Sequence, residues 1–192
     1  MRSVWLVAAL LWAGTASALD WQPDPEVALQ VEVAETMRLV LEQQPELQRF
    51  FDEACGIAVF PRVVRVGLAL GGGRGRGLLL TNDGVLGEVT QSALTLGFQA
   101  GGQSFRQVIF FRTCEAMQEF TEKGNLGRWS GRLEFQGRAS AQAGRAGGAA
   151  DPGFIGDVAI FSLSRRGLMF ELAAGGVRYR FSPSARGSTP LE

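Results

Sequence analysis

The spacing of apolar residues predicts helices near the N-terminus and one helix in the middle of the chain. Near the N-terminus, apolar residues such as Val27 and Val31 recur at intervals close to the helical repeat. Pro45 interrupts this pattern because its ring has no N–H to continue a helix, so two helices are predicted there. A later helix is predicted between Thr113, which can cap its start, and Gly124, which ends it. The predicted helices cover residues 26–44, 46–54 and 113–123.

Most other apolar residues lie in short β-branched runs separated by glycine, a pattern typical of strands. The Asn82-Asp83-Gly84 tripeptide is a turn signal between two such runs. The predicted strands are residues 57–60, 63–70, 71–80, 85–90, 92–98, 108–112, 157–163, 168–173 and 177–181. The sequence therefore predicts an α+β fold, with a mostly antiparallel, strongly bent, barrel-like sheet, N-terminal helices and one central helix. The many glycines favour sharp bends in such a sheet.

The first eighteen residues have the features of a signal peptide. Arg2 precedes an apolar run at residues 4–13, and small residues at 16–18 form a cleavage pattern. The run is shorter than the roughly 20 residues of a membrane span. We therefore expect a periplasmic or secreted protein that can associate peripherally with membranes; the alternative is an uncleaved membrane anchor. The predicted divisions are a signal peptide (1–18), a helical segment (19–55), a sheet domain (56–182) and a polar tail (183–192).

The formal net charge is zero, but the charges are unevenly distributed. Residues 19–55 carry nine acids against Arg38 and Arg49, whereas the chain from Gly56 onward is mainly basic. Nearly all of the cations are arginine, whose planar guanidinium matches phosphate well. The alternative explanation of the arginine bias is a GC-rich genome. The charge distribution itself predicts an acidic N-terminal segment followed by a basic body.

Few catalytic arrangements are compatible with the composition. The chain contains no histidine, which excludes Ser–His–Asp, Cys–His and histidine–metal sites. The glycine-rich run at residues 71–77 matches neither a dinucleotide fingerprint nor a phosphate loop, and it is predicted to be a strand. In a strand, Arg74 and Arg76 would project from one face. We expect no enzyme activity, no cofactor or metal, and no nucleic-acid partner.

The two cysteines, Cys55 and Cys114, leave two interpretations open. Export would permit a disulfide between them. Two buried thiols are the alternative, because sequence separation alone does not show whether the two residues meet.

Three segments of the chain carry a resemblance to a known family. The first is GIAVFP at residues 56–61, and the second is LGFQAGGQS at residues 96–104. The third consists of Asp157-Val158, Phe161-Ser162 and Arg166-Gly167-Leu168. In this order and spacing, the segments resemble those of the SYLF domain family over about residues 51–181.

The resemblance implies a mixed α/β fold, binding to membrane phospholipids (often anionic lipids or phosphoinositides) and no catalysis. Two features depart from the family. Some relatives bind lipid through a basic N-terminal helix. The predicted N-terminal helix of this chain is not a counterpart of it, because it carries the acidic residues Glu26, Glu32 and Glu35. Phe170 and Glu171 also replace the small residues that are common in the family.

Together, the basic body and the resemblance predict a phospholipid-binding protein. The arginines expected to contact lipid phosphates are Arg62, Arg65, Arg74, Arg76, Arg165 and Arg166. The expected partner is an anionic phospholipid membrane surface. The alternative is a structural or interaction module of the cell envelope that binds an acidic protein partner.

Overall fold

The computed structural model describes residues 21–67, 70–96, 101–123, 154, 156–164, 167–170 and 176–184. Within these ranges, seven strands form one antiparallel sheet on which three α-helices pack. The helices are α1 (Ala28–Gln43), α2 (Gln48–Glu53) and α3 (Cys114–Lys123), with a 3-10 turn at Pro45–Leu47. The strands are β1 (Gly56–Gly67), β2 (Leu70–Thr81), β3 (Gly84–Leu96), β4 (Gly101–Phe111), β5 (Val158–Ser164), β6 (Gly167–Phe170) and β7 (Gly176–Pro183). The predicted α+β class, antiparallel sheet, N-terminal helices and central helix are confirmed.

The strands lie in the order β6-β5-β4-β1-β2-β3-β7. β1 is central and pairs with β2 on one side and β4 on the other. The last strand, β7, joins the edge formed by β3, far in the sheet from β6, which precedes it in the chain. Residues that are distant in sequence therefore become neighbours across the sheet.

Two predicted breaks between strands are wrong. β1 continues through Pro61, where two separate strands were predicted. The register of β1 against β2 shifts between Val59 and Arg62, so Pro61 lies in a β-bulge. A bulge accommodates proline because the extra residue makes no ladder hydrogen bond. The predicted strands 85–90 and 92–98 likewise form the single strand β3, and β4 is longer than predicted.

Helices α1 and α2 pack on one face of the sheet, here called the α1 face. Phe50 and Phe51 of α2 contact the ring of Phe110 on β4, with centroid distances of 5.5 and 4.9 Å. The other buried residues of this layer include Val33, Val40, Leu47, Ile57, Val59, Leu78, Leu80 and Val108. Because buried apolar area stabilises a fold at roughly 25 cal/mol per Å², this aromatic layer fixes the helix pair on the sheet.

Helix α3 packs on the opposite face, here called the α3 face. The ring of Phe120 lies 4.8 Å from that of Phe111 and 5.2 Å from that of Tyr179, measured between centroids. The hydroxyl of Thr113 accepts a hydrogen bond from the backbone N–H of Ala116 at 3.3 Å. The predicted cap of α3 is therefore confirmed.

A disulfide joins Cys55 and Cys114, whose Cα atoms are 5.3 Å apart. It links the residue before β1 to the first residue of α3. Of the two interpretations that the sequence leaves open, the structure shows the bonded one.

Several predicted segments lie outside the described residues, including the signal peptide (1–18) and residues 185–192 of the tail. Across the ranges that the structure describes, no helix combines the length and the apolar character needed to span a bilayer.

Candidate functional site

Between residues 73 and 77 of β2, the arginine positions lie on one face of the sheet and the glycine positions on the other. Arg74 and Arg76 alternate with Gly73, Gly75 and Gly77 along the strand. Since Leu78 and Leu80 of the same strand contact α1-face residues, the period of two places both arginines on the α1 face. Both arginine side chains are exposed.

On the α3 face, side chains of the neighbouring strands occupy the space above these glycines. A Cβ at Gly73 would lie 2.8 Å from Cγ of Arg65, and one at Gly75 would lie 2.8 Å from Nε2 of Gln91. The glycines therefore let side chains of β1 and β3 approach each other across β2. The run at residues 71–77 is a closely packed strand, as predicted, and not a phosphate-binding loop.

The bulge at Pro61 decides which side chains of β1 reach the α1 face. Beyond it, Val63 is buried with the α3-face residues, so Arg62, Val64 and Val66 point to the α1 face. Arg62 lies directly opposite Arg76 of β2. Two of the predicted arginines are therefore cross-strand neighbours.

Strand pairing adds three further arginines to the same face. Arg106 of β4 lies at the level of the bulge, and Arg180 of β7 pairs with Thr90 of β3. Arg178 pairs with Ser92, which is itself opposite Arg74. We call this surface the arginine face. Its members are Arg62, Arg74, Arg76, Arg106, Arg178 and Arg180.

The spacing within the arginine face follows from sheet geometry. Strands lie roughly 4.8 Å apart, and alternate residues on one strand roughly 6.7 Å apart. Arg106, Arg62, Arg76 and Arg180 form one row across the sheet, and Arg74 and Arg178 form a second row. All are exposed except Arg106, which is half-buried. The positive charges are thus spaced a few ångströms apart on one surface.

Among the described strand residues, Glu88 is the acidic residue that lies on the arginine face. Its two carboxylate oxygens accept hydrogen bonds from Nε and Nη2 of Arg76 at 2.5 and 2.7 Å. These hydrogen bonds and the positive charge of Arg76 hold the pKa of the Glu88 carboxyl below its ordinary value. Arg62, Arg74, Arg106, Arg178 and Arg180 have no carboxylate partner among the described residues.

Arg65 does not belong to the arginine face. It lies on the α3 face, where its guanidinium carbon is 4.7 Å from the centroid of the Phe105 ring. It is also partly buried. Arg62 and Arg65 are three residues apart, and an odd spacing along a strand places two side chains on opposite faces.

The structure therefore groups three of the six predicted arginines, Arg62, Arg74 and Arg76. The side chains of Arg165 and Arg166 lie outside the described residues. The sequence prediction omitted Arg106, Arg178 and Arg180. For the last two, the alternation in Val177-Arg178-Tyr179-Arg180 gave a signal, because it directs both arginines to one face.

Among the residues that the structure describes, no group of three potential metal ligands lies together. The cysteines of these ranges are both bonded. The polar chemistry of the arginine face is thus guanidinium and hydroxyl, from the arginines with Thr90 and Ser92. Such groups donate hydrogen bonds to oxyanions.

Neither the protein-family models nor the curated proteins compared with this chain give a match.

Proposed function

We propose that this protein binds phospholipid and contacts anionic membrane surfaces through its arginine face, without catalysis. The observation that carries the proposal is that six arginines lie together on one face with Glu88 as the acidic residue among them. The carboxylate of Glu88 is already bonded to Arg76. Guanidinium groups bind phosphate oxygens through two parallel hydrogen bonds. A membrane surface presents many such phosphates, and the arginine face offers several closely spaced guanidinium groups to them.

The pairing of Arg62 with Arg76 supports an anionic ligand. Like charges directly opposite each other on neighbouring strands are destabilising. Glu88 offsets this repulsion at Arg76, with which it forms an ion pair, but not at Arg62. An anionic surface would offset it at Arg62 and at the remaining arginines, so binding would relieve a cost that the free protein carries.

The proposal includes export and family membership. The signal-peptide features of residues 1–18 support a periplasmic or secreted protein associated peripherally with a membrane. The three SYLF-like segments support the same class of lipid-binding domain. The confirmed α+β antiparallel architecture is compatible with that resemblance.

We further propose that the sheet is bent toward a barrel, with the arginine face on its convex side. Six strand spacings separate β6 from β7, which is roughly 29 Å in a flat sheet. The five residues 171–175 connect these strands, and a chain of that length spans at most about 23 Å. The ring centroids of Phe60 on β1 and Tyr179 on β7 are also only 6.0 Å apart. Both observations support a curved sheet that wraps around α3.

Replacing Arg62 and Arg74 together by glutamine should lower the partition coefficient onto anionic vesicles about 30-fold. Each arginine near an anionic surface contributes on the order of 1 kcal/mol, and both residues are exposed without a carboxylate partner. Co-sedimentation with vesicles of phosphatidylcholine and phosphatidylglycerol at low salt measures the change. The difference should fade as salt rises, since the screening length is about 10 Å at 0.1 M.

The matched control is the double variant Arg38→Gln, Arg49→Gln on the helices. It changes the net charge equally but lies off the arginine face, so binding should change little. Equal loss in both variants would mean that only the net charge matters. Unchanged binding in the first variant would remove Arg62 and Arg74 from the site. Capture of an acidic envelope protein without any vesicle binding would favour the interaction-module alternative.

Replacing Glu88 by glutamine should strengthen vesicle binding about fivefold. Glu88 occupies the guanidinium of Arg76 through two hydrogen bonds, so its neutralisation frees about one arginine for lipid phosphate. The same co-sedimentation assay measures this gain. The matched control is Glu42→Gln, which removes a carboxylate bonded to Arg38 on α1. Weaker or unchanged binding by the Glu88 variant would show that Arg76 does not contact lipid.

The Arg76–Glu88 pair also predicts a pH dependence of stability. Because the pKa of Glu88 is lowered in the folded protein, the pair stabilises the fold above the ordinary pKa of a glutamate. This contribution is lost as the pH falls through the lowered pKa. The binding advantage of Glu88→Gln should disappear over the same acidic range, because protonated Glu88 no longer holds Arg76.

A further inference from the structure

Along the strands, the α1 face changes character in three steps. At one end, Ile57 and Val59 of β1 are covered by α1 and α2. The arginine rows follow. Val64, which is 40% exposed, lies opposite Arg74 in the second row, and Val66, which is 59% exposed, lies beyond that row on the same face. The order from the covered end is therefore apolar core, cationic rows with Val64 in the second of them, and the exposed Val66.

The distances between these steps match the layers of a membrane interface. At roughly 3.3 Å per residue, Val66 lies about 13 Å along β1 from Arg62 and about 7 Å from Val64. Interfacial protein segments typically bury their apolar face about 5–10 Å into the boundary between head groups and acyl chains. Val66 could thus reach that boundary while the arginines remain at the level of the phosphates.

Three stretches of the chain at this end of the sheet carry no charge, whereas Arg165 and Arg166 follow β5, which also ends here. The uncharged stretches are residues 66–73, 93–102 and 172–177, the last of which precedes Arg178. They contain the described ends of β1 and β3 and the beginnings of β2, β4 and β7. Burying a charge in an apolar environment is costly, so the uncharged stretches are the part of this end that can approach acyl chains.

Helices α1 and α2 limit how a flat bilayer can approach. They stand on the same face as the arginines, and α1 exposes Glu32, Glu35 and Glu42. A helix with side chains is roughly 10–12 Å in diameter, so a bilayer laid flat against this face would meet an acidic helix first. A bilayer that approaches the strand ends near Val66 reaches the arginines without contacting the helices.

We propose that the protein docks with the end that carries Val66 toward an anionic membrane, so that Val64 and Val66 enter the head-group region, the arginine face contacts phosphates and the acidic α1 lies farthest from the lipid. This orientation rests on the proposed function and defines which part of the surface touches lipid. Charge complementarity with the arginine face identifies the occupant as an anionic lipid surface. The apolar contribution should persist at salt concentrations that screen the arginines.

The test places a tryptophan at the proposed contact and measures its depth. Val66→Trp is compared with Asn82→Trp, an exposed position in the turn after β2, at the opposite end of the sheet. Each variant is mixed with vesicles of phosphatidylcholine and phosphatidylglycerol that carry bromine at a shallow acyl position. After subtraction of the wild-type emission, the signal of the Val66→Trp variant should shift to the blue and be quenched by the brominated lipid. The signal of the Asn82→Trp variant should show neither change.

Co-sedimentation of the same samples separates the two hypotheses. Binding with quenching at residue 82 and not at 66 would overturn the orientation and leave phospholipid binding intact. Binding with quenching at neither position would overturn insertion and indicate a purely electrostatic contact. Absence of binding by both variants and by the wild type would overturn the proposed function together with the orientation.

A second variant tests the apolar contribution without a bulky probe. Val64→Ser, Val66→Ser should lower vesicle binding about tenfold, and the loss should remain at high salt. Arg62→Gln, Arg74→Gln should instead lower binding mainly at low salt. The two serines replace exposed residues, so folding should be preserved, and circular dichroism checks this. A serine variant that binds like the wild type at high salt would contradict insertion.

Discussion

Replacing Cys55 and Cys114 together by serine is expected to lower the free energy of unfolding by about 4 kcal/mol. The two cysteines are separated by 59 residues along the chain. Cross-linking a loop of this length reduces the entropy of the unfolded chain by an amount equivalent to about 4 kcal/mol at room temperature. Urea denaturation, followed by circular dichroism, measures the loss. It is a large fraction of the roughly 5–15 kcal/mol that stabilises a typical domain.

The reduced wild-type protein is the matched comparison for this variant. Reduction removes the same cross-link without changing another residue, so both proteins should unfold at similar urea concentrations. Because the disulfide holds the start of α3 beside β1, we also expect the α3 face to lose protection from hydrogen exchange first. A double-serine variant that is as stable as the oxidised wild type would contradict the role assigned to the bond.

Replacing Gly77 by alanine is expected to destabilise the fold by about 3 kcal/mol. A Cβ at this position would overlap the carbonyl oxygen of Val59 and lie 2.9 Å from Cδ1 of Phe60. The obstacle includes backbone, which cannot rotate away like a flexible side chain. Inserting atoms into such a well-packed position typically costs about 1–3 kcal/mol. Thermal and urea unfolding should both show the loss.

Gly72 of the same strand provides the control. A Cβ there would have the backbone oxygen of Ala93, at 3.9 Å, as its nearest neighbour, which is an ordinary contact. Gly72→Ala should therefore change the stability by no more than about 0.5 kcal/mol. Similar losses in both variants would show that backbone freedom along β2, and not close packing at Gly77, explains the glycines.

Local sequence patterns determined the element types and one part of the candidate surface. Three of these patterns are properties of neighbouring residues. They are the helix break at Pro45, the helix cap at Thr113 and the alternation of arginine with glycine in β2. A period of two places Arg74 and Arg76 on the same face of any strand. These features could be predicted because they depend on a few adjacent residues and not on the rest of the fold.

The faces on which the β1 side chains lie depended on a break in the two-residue alternation of that strand. Pro61 was predicted to end a strand, yet it lies in a bulge within β1. The bulge shifts the alternation by one residue, and this shift places Arg62 on the α1 face and Arg65 beside Phe105. Sequence alone does not distinguish a strand end from a bulge, because proline is compatible with both.

The sequence by itself thus determined the α+β class and the placement of Arg74 and Arg76 on one face. Only the tertiary structure decided that Arg106 and Arg180 join them, and that Cys55 meets Cys114. These contacts connect residues dozens of positions apart, through a strand order in which β7 lies beside β3. Such an order results from the packing of both faces of the whole sheet, which no local pattern of apolar and polar residues encodes.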